Sequence, residues 1–455
     1  MTWLSLLGRS AGLLVVTPLV LRFFSPAQTS LWLLFLTVSS LLMMADFGFG
    51  PSFVRAVSYA RAGRRSLGAD DGLLGSPNTV LLGGIFHALQ SSYRRLTLVG
   101  ALVGGVLGSW SLAGPINQLS APEEGWLAWA CVLSSALLIF RNSAYANWLL
   151  GLNLVARLRR REAILALASV LLTAVVVILT ESFLWSVLAA QAGLVLSSFA
   201  IRRLAVSEAG RLFGESEPAA SPEVAAFVWP AAWRSGIGVL ACSAVIQALG
   251  LIYAQLAPAA QVAPYLLAMR IIQVIVQVSM APFYSHIPRF VAMYASNQRN
   301  ELIAAVRSAM AKAHWLYVAG VLAVAIGAQP LLKVLGSQVG FVSSQLWLLM
   351  GVAFFLERFG AMHLQFYSLS NHILWHVVNG ASGVMILLTS VLLFPLYGVT
   401  AFPLGMIVGY GSFYSWFSAR LVYRHYQERL WQFESRSSFG PALALVSALA
   451  VASGR

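Results

Sequence analysis

Apolar residues along this chain come in blocks of about twenty, separated by short polar connections, and about twenty residues is the length at which an α-helix crosses ~30 Å of hydrocarbon. Blocks such as 163–179 and 377–393 carry no polar face, whereas a helix packed on a soluble core would show one. The pattern predicts spans at 3–21, 31–53, 97–112, 126–153, 163–179, 183–201, 224–256, 264–288, 315–335, 346–369, 377–396 and 401–423. The fold class that follows is an all-α polytopic membrane protein with about twelve transmembrane helices. Pro18, Pro230 and Pro282 fall inside spans and predict kinks, because each removes a backbone hydrogen bond. The opening 21 residues lack a basic leader and a small-residue cleavage site, and Arg9 interrupts them, so they read as a retained first helix.

Composition supports a membrane solvent: 59% of residues are hydrophobic and 10% charged, against about 25% charged in soluble domains. A net charge of +14 invites a nucleic-acid reading, but the cations sit in short loops rather than in one contiguous stripe, so no nucleic-acid partner is expected. They concentrate in every second connection: Arg55, Arg61, Arg64, Arg65, Arg94 and Arg95; Arg157 and Arg159 to Arg161; Arg202, Arg203 and Arg211; Arg289, Arg299, Arg307 and Lys312. By the positive-inside rule those connections and both termini are cytoplasmic. Residues 207–223 form the one long acidic, Pro- and Ser-containing connection. It divides the chain into an N-terminal six-helix lobe (1–206), a cytoplasmic linker (207–223), a C-terminal six-helix lobe (224–424) and a cytoplasmic tail (425–455), within which 441–453 is too short to span. The stretch 80–95 fits either a cytoplasmic amphipathic helix or an extension of the third span, and we favour the extension. The halves share an ordered series: Arg9-Ser10 and Arg234-Ser235, Pro26-Ala27-Gln28 and Pro258-Ala259-Ala260-Gln261, Arg55 and Arg289, Arg141 and Arg358. With an even number of helices each, they would be parallel repeats about a pseudo-two-fold along the membrane normal.

Five arginines fall within predicted spans: Arg9, Arg141, Arg234, Arg270 and Arg358. A charge at mid-bilayer costs at least ~2.5–3.5 kcal/mol, so such side chains face a protein interior or a watery cavity. Two readings stand side by side: a cationic substrate cavity, or snorkelling and structural ion pairs, with Asp46 available to Arg9 and Glu357 to Arg358. Polar and aromatic residues share faces with the arginines: Gln273, Gln277 and Tyr284 with Arg270, Tyr145 and Trp148 with Arg141, and Gln365 with Arg358. The glutamines fit a sugar-binding lining or interhelical hydrogen bonds. Asp46 is the isolated acid of the spans and suits a proton or ion site, or a partner for Arg9. It opens the run Asp46-Phe47-Gly48-Phe49-Gly50-Pro51, which fits a broken helix end or ordinary termination. Cys131 and Cys242 lie inside apolar blocks, and His286, His363, His372 and His376 make no metal set, so no metal is expected. There is no nucleotide-binding GxxxxGK[ST] run, and the few outward acids, Glu123, Glu124 and Glu181, do not suit glycosyl transfer. Neither an enzyme nor a cofactor is expected.

The Arg-Ser start, the run Asp46-Phe47-Gly48-Phe49-Gly50-Pro51-Ser52-Phe53-Val54-Arg55, the two lobes and the intramembrane arginines together resemble the polysaccharide-biosynthesis flippases, in the superfamily that also holds multidrug extruders and lipid II flippases. The resemblance implies a V-shaped pair of bundles in a bacterial inner membrane that opens alternately to each side. Its cargo would be an undecaprenyl-diphosphate-linked oligosaccharide for O-antigen, capsule or exopolysaccharide assembly. Arginines would hold the diphosphate, membrane lipids would take the tail, and glycosyltransferases and a polymerase would work beside it. The alternatives are a multidrug or cation antiporter, a lipid II flippase, and an export-complex scaffold that transports nothing.

Overall fold

A computed structural model describes residues 12–67, 76–213, 222–239, 244–370 and 374–454. All regular elements among them are helical. In chain order they are α1 (Leu14–Phe23), α2 (Pro26–Met44), α3 (Phe49–Arg61), α4 (Thr79–Asn117), α5 (Pro122–Gly151), α6 (Val155–Thr180), α7 (Phe183–Phe213), α8 (Pro222–Val239), α9 (Val245–Leu256), α10 (Ala259–Tyr294), α11 (Arg299–Val334), α12 (Ser344–Tyr367), α13 (Trp375–Tyr397), α14 (401–426), α15 (Leu430–Glu434) and α16 (Phe439–Ser453).

Among the described residues, nine continuous helical stretches are long and apolar enough to cross a membrane. One of these, the 52-residue stretch Trp375–Tyr426, is a hairpin. Its chain reverses at Gly398, whose φ of +54° suits glycine, and Gly405 and Gly409 lie against Ser390 and Ile386 of α13. The predicted second span is broken, with α2 ending at Met44 and α3 starting at Phe49. The 80–95 stretch belongs to one unbroken helix running from Thr79 to Asn117, as the extension reading requires. Pro282 coincides with an interruption of α10 after Ser279. The chain is thus an all-α polytopic membrane protein.

Local sequence sets these ends. Ser25 and Gln28 form a reciprocal capping box at α2, with Pro26 in the first turn. Asn78 caps α4 by accepting from the Leu81 amide at 3.0 Å.

The helices gather into two compact units: one comprises α1 to α8 with residues 250–260, and the other residues 245–249 and everything from 261 onward. In the first unit, α5 lies between α3, α4 and α7. Its core holds Phe53, Leu82, Ile85, Leu89, Tyr93 and Trp148. Helix α8 packs on α3, with Phe49 against Trp229 at 5.9 Å and Tyr59 against Phe227 at 6.0 Å. In the second unit α12 is central, touching α11, α14 and α16.

The C-terminal segment folds back onto this second unit. Glu434 at the end of α15 is fully enclosed and accepts hydrogen bonds from His363 Nε2 (2.8 Å), Tyr423 Oη (2.6 Å) and Ser437 Oγ (2.6 Å), and from the Ser438 hydroxyl. Burial pushes its carboxyl pKa up, but His363 and the serine hydroxyls outweigh burial and hold it at about 2, below the usual 4.5.

Candidate functional site

Arg141 lies ten residues before the end of α5, about 15 Å along the axis. Its side chain is exposed. It lines a pocket of about 140 Å³ with Ala144 and Tyr145 of the same helix and with His87, Gln90, Ser91 and Arg94 of α4. The four α4 residues recur at i, i+3, i+4 and i+7, so one face of that helix supplies them. Two guanidiniums, an imidazole, an amide and two hydroxyls line this pocket, and among the described residues no carboxylate does. Arg141 makes no ion pair or hydrogen bond among the described residues. Donors left unmatched in this way suit an anion, and guanidiniums grip phosphate oxygens through paired N–H groups. Tyr145 contributes its rim, with the Arg202 guanidinium 5.6 Å from its ring centre. Trp148, predicted on the same face, is instead core, fully enclosed and 4.8 Å from Phe86.

Asp46 occupies the break between α2 and α3. Its Oδ2 accepts from the Gly50 amide at 3.0 Å, and its Oδ1 accepts from the Tyr93 hydroxyl. That hydroxyl accepts in turn from Asn147 Nδ2 at 2.7 Å. Helices α3 and α4 therefore meet on one carboxylate, and α5 joins them through the Tyr93 hydroxyl. The turn requires a left-handed backbone at Phe47 (φ +47°) and Gly48 (φ +72°). A Cβ on Gly50 would stand 2.8 Å from Asn147 Nδ2 and 2.9 Å from Asp46 Oδ2, so a larger residue here would displace side chains of the network itself. Gly236 of α8 likewise sits against Phe47, where a Cβ would meet it at 2.7 Å.

The second unit treats its arginine differently. Arg358 is 7% exposed, with its Nε 2.5 Å from Glu357 Oε2 and one terminal nitrogen on the other carboxylate oxygen. Tyr284, Tyr317, Tyr414 and His314 stand close enough to feel its charge. Its Nη1 is enclosed without a hydrogen-bond partner among the described residues. Arg270 is half-buried on α10, Gln273 and Gln365 are half-buried, and Gln277 is exposed. The three glutamines make no side-chain hydrogen bond among the described residues, so their amides are open to another ligand.

Arg9 lies outside the described residues, and with it the question of its pairing with Asp46. Arg234 is on α8, in the unit that holds Arg141, while Arg270 and Arg358 belong to the other. Residues not foreseen as site members are His87, Gln90, Ser91 and Arg94, together with Tyr93 and Asn147 around Asp46. For the four α4 residues the helical spacing was the available signal; Tyr93 and Asn147 carried none. Cys131 is a free, half-buried thiol, and Cys242 lies outside the described residues. Among the described residues no group of His, Cys, Asp and Glu could hold a metal ion.

No protein-family model matches the sequence, and no curated protein sequence matches it. Solved structures do share its fold. An inward-facing multidrug resistance MATE family transporter of the MOP superfamily superposes with a TM-score of 0.66 at 16% identity, over 95% of this chain and 96% of that one. The lipid II flippase MurJ in an inward closed conformation gives 0.61 at 10% identity, over 100% and 97%. A MOP superfamily transporter from Pyrococcus furiosus, described as having a binding pocket of reverse polarity, gives 0.53 at 13% identity, over 94% of each chain. At these identities the likeness is one of fold: the chain has the all-helical fold of MOP superfamily transporters.

Proposed function

We propose that this chain is a transporter that flips an undecaprenyl-diphosphate-linked oligosaccharide from the cytoplasmic to the outer leaflet of a bacterial inner membrane by alternating access, for surface polysaccharide assembly. The observation that carries the reading is the acid-free pocket around Arg141, with Arg94, His87 and Gln90 beside it. A diphosphate needs cations and hydrogen-bond donors, and a sugar suits amides and hydroxyls. Arg234 of the first unit, and Arg270, Gln273, Gln277 and Gln365 of the second, are further candidate ligand-binding residues, and the charge pattern supports cytoplasmic termini. Glycosyltransferases and a polymerase would supply and consume the cargo. The fold supports a carrier in general, since it is shared with a multidrug transporter and a lipid II flippase.

Asp46, inside a hydrogen-bonded network at a broken helix, is the proposed proton or ion coupling group. The same feature favours the second reading, a drug or cation antiporter. Binding of a lipid-linked diphosphate sugar to the protein in nanodiscs separates them. Arg141→Ala and Arg270→Ala should each weaken binding about 10- to 100-fold, the range for a lost charge-assisted contact. Unchanged binding in both variants overturns the flippase reading, and preferential binding of an organic cation supports the antiporter.

A further inference from the structure

Helix α11 is 36 residues long, about 54 Å, well beyond the ~30 Å of a hydrocarbon core. Its first turns, carrying Arg299, Glu301, Arg307 and Lys312, must therefore stand outside the hydrocarbon, and Trp315 marks the boundary level at which tryptophan anchors. At that level an open notch of about 780 Å³ lies between α11 and the connection leading into α16. Arg307, Lys312 and Arg436 supply its charge, and Trp315, Leu316 and Ala319, on the following turns, supply an apolar wall. Arg436 is held alongside because His314 Nδ1–H donates to the Ser437 carbonyl at 3.1 Å.

Among the described residues no acid lines this notch. Glu434, the nearest in sequence to Arg436, is turned inward onto His363. Arg307 is already engaged, reaching the Gln432 carbonyl at 3.2 Å and the Phe433 ring at 5.8 Å. Lys312 and Arg436 are exposed and have no hydrogen-bond or ion-pair partner among the described residues. Two uncommitted cations at headgroup height, with an apolar wall running from them toward the bilayer centre, match the two ends of a phospholipid. We infer that this notch binds one anionic phospholipid of the surrounding bilayer, its phosphate between Lys312 and Arg436 and an acyl chain along Trp315, Leu316 and Ala319. The inference requires the membrane but not the transport reading.

Native mass spectrometry of the full-length protein, titrated with phosphatidylglycerol or phosphatidylcholine, tests it. One phosphatidylglycerol should be retained in preference to phosphatidylcholine. Lys312→Gln with Arg436→Gln should weaken that binding about thirtyfold, since each basic residue near a bilayer surface contributes about a fivefold effect. Arg160→Gln, an exposed cation of the other unit, should leave it unchanged. Dibrominated phosphatidylglycerol should quench tryptophan emission, and Trp315→Phe should remove part of that quenching while the protein still elutes as a folded species. Equal retention of the two lipids, unchanged affinity in the double variant, or displacement by millimolar inorganic diphosphate overturns the inference. Competitive displacement by a lipid-linked diphosphate sugar would assign the notch to the cargo and overturn it too.

Discussion

In the first unit Arg141 stands exposed in a pocket without a carboxylate among the described residues, whereas in the second Arg358, which the sequence comparison of the halves pairs with it, is enclosed and forks onto Glu357. The neighbouring residue makes the difference. Glu357 precedes Arg358, and Phe140 precedes Arg141. A buried guanidinium is tolerable with its charge balanced and hydrogen-bonded, and an unbalanced one must keep access to water or to an anion. One arginine is thus committed to an internal ion pair, and the other has no protein partner among the described residues.

The largest effect should come from splitting the enclosed pair. Arg358→Ala would leave Glu357 beside Tyr284 and Tyr317 without its counter-charge, and should lower the unfolding free energy by about 3–5 kcal/mol. Thermal unfolding of the detergent-solubilised protein measures this, with Glu357→Leu plus Arg358→Met expected to recover most of the loss. A single variant as stable as the parent would show that the pair is not structural.

Acid should act next, through Glu434. Its carboxyl pKa is held at about 2 instead of 4.5, so its contribution to stability is complete above about pH 5 and is lost as pH falls through that window. The loss should approach about 3 kcal/mol at most, and Glu434→Gln should flatten the acid limb of a melting-temperature profile. An identical acid limb in that variant would assign the sensitivity to other carboxylates.

A smaller change tests the Asp46 network. Tyr93→Phe removes the hydroxyl that joins Asp46 to Asn147 and should cost about 1–2 kcal/mol. Thermal unfolding of the detergent-solubilised protein measures this, and a variant as stable as the parent would show that the hydroxyl adds nothing to the network.

The span pattern was readable from sequence because a bilayer imposes a long, uniform apolar requirement that hardly depends on tertiary contacts. Asp46 was readable for the same reason, as an acid where the solvent disfavours one. Its partners were not, since Tyr93 and Asn147 lie 47 and 54 positions apart from Asp46 and from one another, and only packing joins them. Trp148 shared the Arg141 face by spacing, yet packing against Phe86 and Phe213 took it into the core. Glu434 carried no signal of burial at all. A lone glutamate among Arg429 and Arg436 reads as a solvated charge until α15 folds back onto His363.

The smallest expected stability change is at Arg141, and that smallness is what makes it informative. An exposed side chain with no ion-pair or hydrogen-bond partner among the described residues has little to lose on truncation, so Arg141→Ala should move the unfolding free energy by no more than about 0.5 kcal/mol. Removing a cation from an acid-free pocket also relieves repulsion from Arg94, which works in the direction of stability. If Arg141→Ala instead proved as damaging as Arg358→Ala, the open arginine would be structural after all and the contrast between the units would collapse. If it leaves the melting temperature in place while the retention of a lipid-linked diphosphate falls, stability and binding separate at this residue, as they must where a charge is kept for a ligand rather than for the fold.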